Sequence, residues 1–138
     1  MKIKWSKILL AGIIASIVRY IINTGFGAYF MDLYDPTSGL WRAMMTPDWY
    51  TGVIISTIII SFLAVFAYVA VNKALGSKKE LAKKGLKFGL IVWLVRDITG
   101  STMTYVFMPV SFTLVLSWAI SGFIISMING LIVAKIYK

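Results

Sequence analysis

Two arginines and one aspartate stand where charge is rarest in this chain. Arg19 and Arg96 each lie eleven residues into a long apolar stretch, counted from Ile8 and Gly85, and Asp97 follows Arg96 directly. A helix rises about 1.5 Å per residue, so both guanidiniums start near the middle of a bilayer-sized span. An ionised group at that depth costs at least about 2.5–3.5 kcal/mol on insertion scales, so it faces protein or water and takes a partner. Residues adjacent in sequence point about 100° apart on an α-helix and make poor partners. Asp97 is therefore expected to meet Arg19 across a helix interface rather than Arg96. Two positive charges and one negative leave +1, which an anion, a lipid phosphate, water or another subunit's acid would balance. Asn23, Ser101 and Thr104, with Thr24, Thr99 and Thr102, lie between this level and the outer surface. The candidate ligand-binding set is thus Arg19, Asn23, Arg96, Asp97, Ser101 and Thr104. Two readings stand: an Arg19–Asp97 clamp that fixes helix pairing, or an outward-facing vestibule suited to an anionic or carboxylate-bearing ligand.

The residues that are missing narrow the chemistry further. The chain has no His and no Cys, so the commonest metal ligand and general base are absent, as are thiolate nucleophiles, disulfides and thiolate metal sites. A single intramembrane carboxylate provides neither a paired acid and base nor a cage for a catalytic metal. Haem ligation by His is impossible. No catalytic residue, metal or cofactor is expected, and the chain reads as a non-enzyme.

The elements that must position these charges are helices in lipid. Of 138 residues, 59% are hydrophobic and 14% charged, with a mean hydropathy of +0.86; soluble domains run nearer 45–50% apolar and about 25% charged. So short a chain could not hide that much apolar surface in one core. Four apolar stretches, 8–30, 50–71, 85–108 and 110–136, each approach the roughly 20 residues of a membrane-crossing helix. The expected fold is a single all-α transmembrane domain, an up-down bundle of four helices. Pro109 separates the last two and suits the first turn of the fourth. The first stretch is expected to be a retained span rather than a cleaved signal peptide, because no small-x-small site precedes Gly25-Phe26-Gly27.

Eleven of the fourteen basic residues are Lys, and all of them fall on one side: Lys2, Lys4 and Lys7, then six in and just after the 72–84 loop, then Lys135 and Lys138. Asp32, Asp35, Asp48 and Arg42 fall on the other. The positive-inside rule puts both termini and the 72–84 loop in the cytoplasm of a cell-membrane protein. The +9 charge is then a topology signal rather than a nucleic-acid footprint, with anionic lipid headgroups as its natural partners. Trp5 and Tyr137 mark the inner interface, and Tyr29, Tyr34, Trp41, Trp49 and Tyr50 the outer one. Within the 31–49 loop, Thr37 or Ser38 can cap a short interfacial helix that carries Leu40, Trp41, Met44 and Met45 and ends at Pro47.

Small residues at helical spacing supply packing faces: Gly12, Ser16, Arg19, Asn23 and Gly27 on the first helix; Gly85, Gly89, Trp93, Arg96 and Gly100 on the third; Gly122, Ser126 and Gly130 on the fourth. Gly12–Ile21 and Gly89–Ile98 agree at five of ten positions, including the arginine. A second match pairs Thr51–Ile58 with Ser121–Ile128 at an offset of 70 rather than 77. A genuine repeat would be parallel, related by an axis along the membrane normal.

The segment Gly12-Ile-Ile-Ala-Ser-Ile-Val-Arg19-Tyr20 resembles the first helix of the small fluoride channels. The likeness stops there: Thr57 stands where that family's pore asparagine is expected, and the one-sided lysines do not suit its dual-topology insertion. The whole chain is more similar to a group of small bacterial and archaeal four-helix membrane proteins. Asn23, the Trp41 loop, Tyr68, Lys84-Gly85-Leu86 and Trp93 carry that resemblance, which implies an architecture rather than an activity. The sequence alone leads first to a non-catalytic scaffold or accessory subunit packing through its Gly/Ser faces against a membrane-protein partner. The alternative is a small homo-oligomeric transporter or channel for an anionic solute, using Arg19 and Arg96.

Overall fold

A computed structural model describes residues 4–34, 45–76 and 80–137, all helical or linking helices. Helix α1 spans Trp5–Tyr29, α2 Pro47–Val71, α3 Leu81–Val92, α4 Thr99–Phe107 and α5 Phe112–Ile136. A 3-10 turn, Met31–Leu33, follows α1, and a π turn, Trp93–Ile98, joins α3 to α4 without leaving helical backbone. α1, α2 and α5 are each long and apolar enough to cross a membrane.

Local chemistry explains where these helices begin. Thr46 caps α2, its hydroxyl accepting from the Trp49 N–H at 3.3 Å, with Pro47 in the first turn and Asp48 beside the positive end of the helix dipole. Ser111 caps α5 in the same way, accepting from the Leu114 N–H at 3.2 Å. This moves the start of the last helix from the expected 110 to Phe112. Pro109 lies in the linker, because the serine cap two residues on satisfies an N–H that a proline start would not. Pro47 opens α2 three residues before the expected Tyr50. The expected interfacial helix with its Thr37 or Ser38 cap, together with Asp35, Trp41, Arg42, Lys2, Lys78, Lys79 and Lys138, lies outside the described residues except for its last residue, Met45, which stands in a turn at φ 62° rather than in a helix.

α5 is the axis of the molecule, and it carries the largest share of buried positions, from Leu114 to Ala134. It packs most extensively on α3 and next on α1, and α1 packs on α2. The α3–α5 contact is a meeting of backbones. A Cβ placed on Gly85 would lie 2.7 Å from the Gly130 carbonyl oxygen, and one on Gly89 would overlap the Ser126 carbonyl. Such approach is how helices gain dispersion energy where lipid removes the hydrophobic incentive. At the lysine-rich end α2 and α3 meet through side chains: the Tyr68 and Phe88 rings sit edge to face at 5.1 Å within a core that includes Ile8, Val65 and Val133. Lys84 is buried there, its ammonium 5.9 Å from the Tyr68 ring centre. The outward faces are largely apolar, with Ile17, Ile21, Ile59, Leu63, Val95 and Phe107 all exposed. A surface of that kind fits hydrocarbon.

Candidate functional site

Away from the lysines, three helices wall a chamber of about 580 Å³, within the roughly 300–1,000 Å³ typical of small-molecule sites. α1 contributes Asn23, Thr24 and Phe26; α2 contributes Trp49, Ser56 and Thr57; α5 contributes Ser117, Trp118 and Ser121. The wall serines are partly occupied. Ser117 donates to the Leu114 carbonyl at 2.7 Å, Ser121 to Trp118 at 3.0 Å and Ser56 to Val53 at 3.0 Å. Each hydroxyl therefore offers the chamber lone pairs rather than its proton.

Tyr34 closes one side, where its hydroxyl accepts from the Trp118 indole N–H at 2.7 Å. Burial pushes the Tyr34 phenol above its ordinary value, and the indole hydrogen bond opposes that rise. The folded chain thus holds Tyr34 protonated at a pH where the unfolded chain begins to ionise it, near the ordinary value of about 10. Folded-state stability then falls as pH climbs through that value. Replacing Trp118 with Phe removes the opposing bond, so in a phenolate-absorbance titration Tyr34 should ionise later still than in the wild type. An unchanged or earlier transition would place the indole elsewhere.

Deeper on the same face of α1, one turn below Asn23, lies Arg19, only 6% exposed. Asp97 does not pair with it. The carboxylate is held by its own neighbour: Arg96 Nε donates to Oδ1 at 2.9 Å, and Nη2 donates to Oδ1 at 2.5 Å and Oδ2 at 2.6 Å. The expectation that adjacent residues diverge assumed an α-helix. Both stand in the π turn, whose i→i+5 bonding puts more residues in each turn and so narrows the angle between neighbours. The long arginine stem covers the rest. From α5, the Ser126 hydroxyl donates to Asp97 Oδ2 at 3.1 Å. Gly122 provides the berth, since a Cβ there would stand 2.6 Å from the Asp97 carboxyl carbon. Arg19 lies within electrostatic range of both Arg96 and Asp97. The three formal charges sum to +1.

Of the six residues singled out from the sequence, Asn23 lines the chamber, Arg19 lies beneath it, and Arg96 and Asp97 form a pair against α5. Ser101 and Thr104 do not join them. They stand on α4, which buries no residue and contributes nothing to the chamber's lining, and Thr104 donates to the Gly100 carbonyl at 2.9 Å. α5 takes the place expected of α4 as a wall, because the glycine contact draws α5, not α4, into the centre. Ser117, Trp118 and Ser121 were therefore missed. Their i, i+1, i+4 spacing was readable as one polar-aromatic face, but its partner Tyr34 lies 84 residues away in sequence. Neither a family model, nor a curated protein, nor a solved structure matches the chain.

Proposed function

We propose that the chain is a four-helix integral membrane protein with both termini and the 72–84 loop in the cytoplasm, and that its outer chamber admits a small anionic solute toward Arg19. One observation carries this reading: a guanidinium that is 6% exposed, beneath a chamber, in a cluster whose only carboxylate is already held by another arginine. A bound monoanion would bring the cluster to neutrality, and the low-polarity surroundings strengthen that attraction. Asn23 offers a donor on the way in. The cytoplasmic end is closed by the Tyr68–Phe88 core, so complete passage requires movement at that end or a second copy of the chain.

The scaffold reading needs small-residue faces free to receive a partner. Gly85, Gly89, Gly122 and Gly130 are taken up within the chain, between the 81–107 rod and α5, while Gly27 and Gly100 stand open; the seam thus leaves a partner only the ends of those faces, which supports the solute-binding reading. In liposomes of purified protein, Arg19→Gln should remove flux or binding of small carboxylates and inorganic anions while leaving the protein folded. If wild-type protein neither binds nor moves any such anion, and Arg19→Gln loses only stability or oligomeric state, the scaffold reading replaces it.

A further inference from the structure

Among the described residues, four buried polar atoms below the chamber have no hydrogen-bond partner: Arg19 Nε, Ser61 Oγ, Asn129 Oδ1 and Arg96 Nη1. The first three belong to residues that line one small space between α1, α2, α3 and α5, and those residues are 6%, 0% and 6% exposed. Ser126 lines the same space. The other end of the Asn129 amide is already fixed, its Nδ2 donating to the Ala15 carbonyl at 3.3 Å, so Oδ1 is left as a committed acceptor. A buried polar group without a partner is costly, and three around one space point to an occupant that bonds all of them.

The donor and acceptor chemistry decides what that occupant is. Arg19 Nε–H can only donate, Asn129 Oδ1 can only accept, and Ser61 Oγ does either. An anion would satisfy the first and third but repel the second; a cation would do the reverse. Water donates twice and accepts twice, and so satisfies all three. About 10 Å³ is open to the centre of a water-sized sphere, room enough for a water.

We infer that this space is a binding site for one structural water, held by Arg19 Nε, Ser61 Oγ and Asn129 Oδ1 and adjoining Ser126. The assignment answers how Arg19 relates to Asp97. Asp97 binds Arg96 directly, while Ser126, which donates to Asp97 and borders the water, extends the same network toward Arg19. The single carboxylate is then shared between both guanidiniums, one by contact and one through a serine and a water. The water also orients Arg19 from below, leaving the rest of the guanidinium for whatever enters the chamber; the site itself does not depend on a solute binding there.

The test is a crystal structure of the full chain at a resolution that shows ordered water, from crystals grown with bromide as the main anion. Expected is one peak within hydrogen-bond distance of the three atoms and without anomalous signal at the bromine edge. An anomalous peak there assigns the site to an anion and overturns the inference, as does a structure in which Asn129 Oδ1 accepts directly from Arg19 Nε with no peak between them. Ser61→Val, which fills the space and removes one partner, should abolish the peak in an otherwise superimposable structure; an undiminished peak in that variant also overturns it. Should Ser61→Val not fold, Ser61→Ala serves, with the peak expected to weaken or shift toward Asn129.

Discussion

Gly89→Val should leave little folded protein. Even the first carbon of any side chain at position 89 overlaps the Ser126 carbonyl oxygen, with Ser126 C at 2.9 Å and Met127 Cα at 3.0 Å behind it. All three are backbone atoms, which cannot rotate aside. The only relief is to move α3 away from α5, and that gives up the largest helix contact in the molecule. Over-packing ordinarily costs about 1–3 kcal/mol; here the loss should reach or exceed the upper figure, because the seam on both sides, at Gly85 and Gly130, opens with it. Thermal unfolding and size-exclusion behaviour in mild detergent report the outcome. Gly100→Ala is the matched control. Nothing lies within 4 Å of a Cβ there, and replacing a helical glycine with alanine is favourable by up to about 1 kcal/mol. A Gly89→Val protein that melts with the wild type would mean that α3 and α5 do not meet at this glycine.

Asp97→Asn should be the most damaging single change to the polar cluster, and clearly worse than Arg96→Gln. The wild type holds Arg19, Arg96 and Asp97 with a sum of +1. Asp97→Asn raises the sum to +2, leaving Arg96 with a neutral amide and Arg19 without the charge that lay within its range. Stripping one partner from a fully buried pair costs about 3–5 kcal/mol, chiefly because the other charge is stranded; this pair is partly exposed, 27% and 15%, so the loss should fall below that range. Arg96→Gln instead brings the sum to zero, with Asp97 still bonded by Ser126 and able to serve Arg19. The ranking distinguishes a charge-balance role from a simple salt bridge, in which either deletion would cost the same. Melting temperatures of the two variants in one detergent settle it; equal losses, or a greater loss for Arg96→Gln, would sink the charge-balance account.

These two predictions also divide what was legible in the sequence from what was not. Hydropathy and lysine placement located α1, α2 and α5 within a few residues, since both depend on composition alone. Four-residue spacing marked Gly85 and Gly89 on one helix and Ser126 and Gly130 on another as close-packing faces, but that these two faces meet each other, rather than the first helix's, follows from packing. The Arg96–Asp97 pair was hidden for the opposite reason. It depends on the π turn, and Trp-Leu-Val-Arg-Asp-Ile contains neither the proline nor the glycine that usually announces an irregular helix. The Trp93 indole N–H, bonded to the Ala119 carbonyl at 2.8 Å, ties that turn to α5, a tertiary contact with no local signature. The chamber was half legible: Asn23 and the depth of Arg19 follow from counting residues, but the choice of α5 over α4 as its wall follows from packing.

The π turn has a consequence for motion as well as for charge. On its lysine-rich side the 81–107 rod is clamped by glycine-to-backbone contact; beyond the turn, α4 buries no residue and leans chiefly on α5. One continuous helix therefore carries two very different local stabilities, and local opening concentrates where buried contacts are fewest. The turn is the natural pivot between them. Were α4 to swing away from α5, the carboxylate seated against Gly122 lies close to the pivot, so the segment freest to move is coupled at its root to the one negative charge that two arginines share.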